Sequence, residues 1–150
     1  MKSILASISQ PKEIQNLNLK ELTQLAAECR QRIIEVTSQR GGHLASSLGT
    51  VEITVALLKN FDFSLDRIVW DVGHQAYPYK ILTDRNENFD SLGKTGGIKK
   101  FLSRDESSYD HFGAGHASTS ISAALGMAIG RDLQQKKQHV IAVIGDGAMT

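Results

Sequence analysis

Cysteine is almost missing from this sequence: the 150-residue chain has one, Cys29, so no internal disulfide can form. Cys29 falls within a helical pattern, which reads as a small buried hydrophobe rather than a reactive thiol, and a chain so poor in cysteine fits a reducing cytoplasm. Net charge is scarce as well. The 17 Lys and Arg stand against 16 Asp and Glu, leaving no excess of either sign to attract a nucleic acid or an anionic membrane. Long apolar runs are missing too: the stretch MKSILASISQPKEI alternates apolar with polar residues and lacks the continuous segment that a signal peptide or membrane span requires. No low-complexity tract, charge run or repeating period interrupts the chain. What these absences leave as partners are small molecules and other subunits. The length suits one domain with its own core, without a staple.

What is present reads as alternating helices and strands. From Asn18 the pattern is helical: Asn18 caps, Glu21 reaches back to it, and Leu22, Leu25, Ala26, Cys29, Ile33 and Val36 share one face up to Arg40 and Gly41. A second helix is predicted from about Thr50 to Lys59, after GGHLASSLG, which reads as a loop or a turn leading into it. RIVWDV, residues 67 to 72, and HVIAVI, residues 139 to 144, are short, β-branched and almost continuously apolar, as strands buried on both faces of a parallel sheet are. Between them come a helical stretch around Tyr79 to Thr83, a long polar loop through Lys100 and Asp110, and a helix from about Ser118 to Gln135. The face of that helix, Ile121, Ala124, Leu125 and Ala128, is rich in small residues. Together with Gly126 and Gly130 it predicts close packing on a sheet, although each interior glycine costs roughly 1 kcal/mol against alanine. Strand, helix, strand at this spacing predicts an α/β fold with an open parallel sheet and flanking helices. The chain stops at Thr150, just after the second strand, where such a sheet would continue, so the sheet is expected to be incomplete.

Ligands of open α/β sheets collect beyond the carboxyl ends of the strands, which directs attention to the turns after the two strands. The first turn begins Gly73-His74, the second Gly145-Asp146-Gly147, and the long loop delivers Gly113-Ala114-Gly115-His116 to the head of the Ser118 helix. Gly41-Gly42-His43 lies earlier. Three of the five histidines, His43, His74 and His116, thus follow a glycine directly, which lets the backbone approach a ligand with an imidazole beside it. These three are expected to line one pocket; His111 and His139 lack the glycine. VIGDGAMT has the Gly-x-Gly of a dinucleotide fingerprint but carries Thr150 in place of the third glycine and a carboxylate between the first two. Asp146 would repel a phosphate unless a divalent cation lay between them; Mg²⁺ takes one or two carboxylates plus phosphate oxygens. Asp146 therefore reads either as a metal ligand beside a diphosphate or as an ordinary Asp-Gly turn after a strand.

A strand ending in Gly-Asp-Gly resembles the first half of the thiamine-diphosphate motif. The phrases GGHLASSLGTVE, WDVGHQAYPYKILT and GAGHASTSISAALGMA resemble the 1-deoxy-D-xylulose-5-phosphate synthase family in the same order, over nearly the whole of Gly41 to Thr150. Transketolases share the GDG, but WDVGHQAYPYK points to the synthase. The resemblance implies residues 1 to 150 as the N-terminal part of a diphosphate-binding domain, with thiamine diphosphate and Mg²⁺ as cofactors. It places His74 by the cofactor, Gly115, His116 and Ala117 near its diphosphate, Asp146 on Mg²⁺, Gly147 and Ala148 on the diphosphate, and His43 toward the substrate. It implies condensation of pyruvate with D-glyceraldehyde 3-phosphate and loss of CO₂, in isoprenoid and thiamine precursor synthesis, by a cytoplasmic homodimer. Two positions depart from the family: Ala117 stands where serine is more usual, and Tyr79 where histidine is. The family's asparagine that completes the metal site, its activating glutamate and its aldehyde-phosphate groups all belong to later sequence. The 150 residues alone are therefore expected to be inactive, as a piece of a transferase or as a truncated remnant serving only association; a transketolase-like piece is the further alternative.

Overall fold

The computed structural model describes residues 3–149, so Thr150, the residue in the third-glycine position, lies outside the described residues. The chain divides into two compact units, one made of Met1–Asn60 and Gln75–Lys100, the other of Phe61–His74 and Phe101–Thr150.

The first unit is helical. Its long helix α1, Leu19–Arg40, opens with the predicted reciprocal cap: Glu21 N–H donates to Asn18 Oδ1 at 3.1 Å and Asn18 N–H to a Glu21 carboxylate oxygen at 2.8 Å. Leu25, Ala26, Cys29, Ile33 and Val36 are buried along its predicted face, and helix α3, Val51–Asn60, packs against it with Val51, Val55 and Leu58 buried. Burial pushes the Cys29 thiol up to about 12, so it is an inert core residue as its setting in the sequence predicts. GGHLASSLG is not wholly loop: Leu44–Leu48 forms a single helical turn, α2, because no helix breaker stands between Gly42 and Gly49. Helix α4, Tyr77–Lys80, starts two residues before the predicted stretch, with Pro78 in its first turn, and runs on into a π-turn over Ile81–Arg85.

The second unit holds the sheet. Strands β1, Arg67–Asp71, and β2, Val140–Ile144, pair in parallel with Arg67 opposite Val140 and Asp71 opposite Ile144, and helix α5, Ser120–Leu133, packs on both. This is the α/β class that the sequence predicts. Ile68 to Asp71 are buried as expected, but every residue of β2 is only half-buried, because among the described residues β2 pairs with β1 alone.

Helix α5 is shorter than predicted, and its expected face divides. Ala123, Ala124, Met127 and Ala128 are half-buried, whereas Ile121 and Leu125 are exposed. A β-carbon at Gly126 or Gly130 would meet nothing within 4 Å, so these glycines are not what lets the helix approach the strands. The helix closes at Gln135 without a glycine: Gln135 takes φ 55°, while Lys136 N–H donates to the Arg131 carbonyl and Gln135 N–H to that of Asp132. No helix among the described residues is long and apolar enough to cross a membrane.

Candidate functional site

Because β1 and β2 are parallel, their carboxyl ends share one edge of the second unit, and most of the predicted site residues sit there. After β1 the chain turns through Gly73 to the half-buried His74. Gly73 has φ 96°, and a β-carbon there would run into the Ala114 side chain, so only glycine lets this turn lie against the Gly113–Ala114 loop. From that loop Gly115, His116 and Ala117 continue, all exposed, to the head of α5. After β2 come Gly145 and a 3-10 turn, Asp146–Ala148, in which Asp146 and Gly147 are exposed and Ala148 is buried.

Two residues outside the predicted site join these three segments. Asp71, the last residue of β1, is 1% exposed; its carboxylate accepts Ser118 N–H at 3.1 Å and Ser120 N–H at 3.0 Å, tying the strand end to the start of α5. Burial opposes the charge on Asp71, but hydrogen bonds from the backbone amides of Ser120 and Ser118 outweigh it and hold the carboxyl below its ordinary range. Ser118 in turn donates its hydroxyl to the Ala148 carbonyl at 2.8 Å. The sequence held a signal for Asp71: a carboxylate at the end of a buried apolar strand must be paired where it sits. It held none for Ser118, whose partners lie 47 and 30 residues away.

His43 belongs to the first unit, where it precedes α2 and is half-buried. Its N–H donates to the hydroxyl of Tyr77 at 3.4 Å, and the two rings lie 6.3 Å apart. Tyr77 is fully buried and packs edge-on against Phe89, 5.8 Å between ring centres. Gly42 makes this possible: its φ is 143°, and a β-carbon would stand 2.6 Å from the Tyr77 hydroxyl. Gly42→Ala is expected to destabilise the protein by about 2–4 kcal/mol, combining overpacking with backbone strain. Denaturant unfolding measures it; a midpoint equal to that of the parent would show that the loop has room to move.

The two histidines without a preceding glycine have structural partners. His111 accepts the Ile68 N–H on Nδ1 at 3.1 Å, and burial, helped by the charge of Arg67, lowers its pKa to about 4. His139 meets Asp66 through its N–H at 2.7 Å and its Nδ1 at 3.2 Å. These contacts brace the strands away from the Gly145 turn.

As for a metal, no group of three or more His, Cys, Asp or Glu able to hold an ion occurs among the described residues. The Asp146 carboxylate alone, exposed beside Gly147, suits an ion whose other ligands are diphosphate oxygens and water, which is how Mg²⁺ is commonly held.

The sequence model of one protein family, described as 1-deoxy-D-xylulose-5-phosphate synthase, matches residues 5–150. Among curated relatives, a probable 1-deoxy-D-xylulose-5-phosphate synthase 2, chloroplastic, of Oryza sativa subsp. japonica is 58% identical over 147 residues, 98% of this chain and 21% of the relative. The 1-deoxy-D-xylulose-5-phosphate synthases of Lawsonia intracellularis and Clostridium botulinum are 57% and 55% identical over 150 residues, all of this chain and 24% of each relative. The chain spans about a quarter of the length of the relatives it matches. With the family match running from residue 5 through every segment that meets at the ends of β1 and β2, the chain belongs to the 1-deoxy-D-xylulose-5-phosphate synthase family.

Proposed function

We propose that this chain is the N-terminal part of the cofactor-binding domain of a thiamine-diphosphate-dependent synthase that condenses pyruvate with D-glyceraldehyde 3-phosphate and releases CO₂. The observation that carries the reading is the convergence of the His74, Gly115–Ala117 and Asp146–Ala148 segments at one sheet edge, joined through Asp71 and Ser118. Asp146 would ligate Mg²⁺, and the backbone of Gly147 and Ala148, with that of Gly115, His116 and Ala117, would hold the diphosphate. The absence of a hydroxyl at Ala117 leaves its amide for that role. When bound, thiamine diphosphate supplies a nucleophilic carbon and a sink for the electron pair left behind by CO₂.

The residues of this chain then have binding and proton work to do. His74 and His116 donate hydrogen bonds to oxygens that gain negative charge and pass protons to and from them. His43 has the same chemistry and is assigned to the substrate by its place in GGHLASSLGTVE. A homodimer in the cytoplasm is the setting proposed for the whole protein.

The test is turnover by a full-length protein carrying this segment. Product is expected from pyruvate and glyceraldehyde 3-phosphate only when thiamine diphosphate and Mg²⁺ are both supplied, and none from the 150 residues alone. Turnover of ketose phosphate donors in place of pyruvate would assign a transketolase instead.

A further inference from the structure

We infer that Ser118 is a positioning residue for the turn after β2, its hydroxyl holding the backbone at Ala148 where the proposed diphosphate site needs it; this rests on the cofactor reading above. The turn is permissive in its sequence, with Gly145 and Gly147 on either side of Asp146, and the space beside both glycines is open. The bonds from Ala148 N–H to the Gly145 carbonyl at 3.0 Å and from Met149 N–H to that of Asp146 at 3.1 Å are local and shape the turn without locating it. The bond from Ser118 Oγ to the Ala148 carbonyl comes from the head of α5 and does locate it.

Ser118 is itself held, since its N–H donates to the buried carboxylate of Asp71. It also adopts φ 63°, a left-handed conformation that side chains disfavour and glycine takes freely. Glycine would therefore be the residue of least strain at position 118, yet glycine cannot reach Ala148. The strained serine makes sense if the hydroxyl is what the position requires. Asp146 and Gly147 precede Ala148 directly, and His116 stands two residues before Ser118, so one hydroxyl sets the proposed metal ligand and the proposed diphosphate-binding turns in register.

The strain separates this role from a general contribution to stability. Ser118→Gly and Ser118→Ala both delete the hydroxyl, but only the glycine variant relieves the backbone, so Ser118→Gly is expected to melt at a higher temperature than Ser118→Ala. Both are expected to bind thiamine diphosphate, in the presence of Mg²⁺, about three- to tenfold more weakly in the full-length protein, the loss expected for one neutral hydrogen bond. Hydrogen exchange at the amides of Gly147 to Met149, measured without cofactor, is expected to quicken in both. Cofactor affinity that follows the melting temperature, weakened in Ser118→Ala but not in Ser118→Gly, would overturn the inference, as would unchanged exchange. A parent protein that binds no thiamine diphosphate while exchange still quickens in the variants would refute the cofactor reading and leave the positioning of the turn intact.

Discussion

Asp146→Ala is expected to abolish Mg²⁺-dependent binding of thiamine diphosphate and to cut synthase activity by more than a hundredfold. Mutating outer partners of metal ligands already costs about 10–100-fold, and a direct ligand should cost more. Removing this carboxylate also leaves a diphosphate facing the turn with no protein charge from this segment to share its cation. The fold should be indifferent to the change: Asp146 is exposed, and its carboxylate has no hydrogen-bond partner among the described residues. A surface substitution of that kind stays within about 0.5 kcal/mol. Cofactor titration at several Mg²⁺ concentrations, with a thermal melt of the same samples, separates the two effects. Asp146→Asn, which keeps the shape without the charge, should resemble the alanine variant. Retained Mg²⁺ dependence in either would remove Asp146 from the metal site.

Much of this was legible in the residues because local chemistry decided it. The cap of α1 is a short-range pattern, Asn18 with Glu21, and it forms as written. β1 and β2 are almost continuously apolar runs of strand length, which leaves few alternatives. Where the structure departs from expectation, contacts distant in sequence are responsible. The helix before β2 starts at Ser120 rather than Ser118 because Asp71 and Ala148 capture Ser118 in a left-handed conformation. Its outward stripe of Ile121, Leu125, Ile129 and Leu133 is as apolar as any core-facing one, so periodicity alone could not tell which side meets the strands. The proposed site residues rest on glycine placement and family phrases, both local. Asp71 and Ser118 were missed because their meaning lies in their partners.

The second large effect is expected at Asp71. Asp71→Asn replaces an anion that accepts two backbone N–H groups with an amide that can oppose only one of them with an oxygen, in a place that is 1% exposed. Hydrogen bonds to a charged group are worth about 1.5–3 kcal/mol each, so a loss of about 2–4 kcal/mol is expected, or roughly 4–16 °C in melting temperature for a domain of this size. Acid should reveal the same interaction. The Asp71 carboxyl is held below its ordinary value of 3.8, so its stabilisation is complete above that value and is lost as pH falls through the lower folded pKa. His111 acts earlier. Its folded pKa of about 4 lies below the ordinary 6.5, so the unfolded chain takes up the proton first, and stability declines as pH drops from about 6.5 to about 4. The parent should therefore weaken in two stages; Asp71→Asn should keep the His111 stage and lose less than the parent in the lower one, to which other paired carboxylates such as Glu28 and Asp90 also contribute. Melting temperatures of the two proteins should stand well apart at pH 7, remain apart through the His111 stage, and converge below about pH 4. A gap that stays constant to pH 3 would mean that the Asp71 charge does not hold the strand end to α5, and the link from β1 through Ser118 to the turn at Ala148 would lose its anchor.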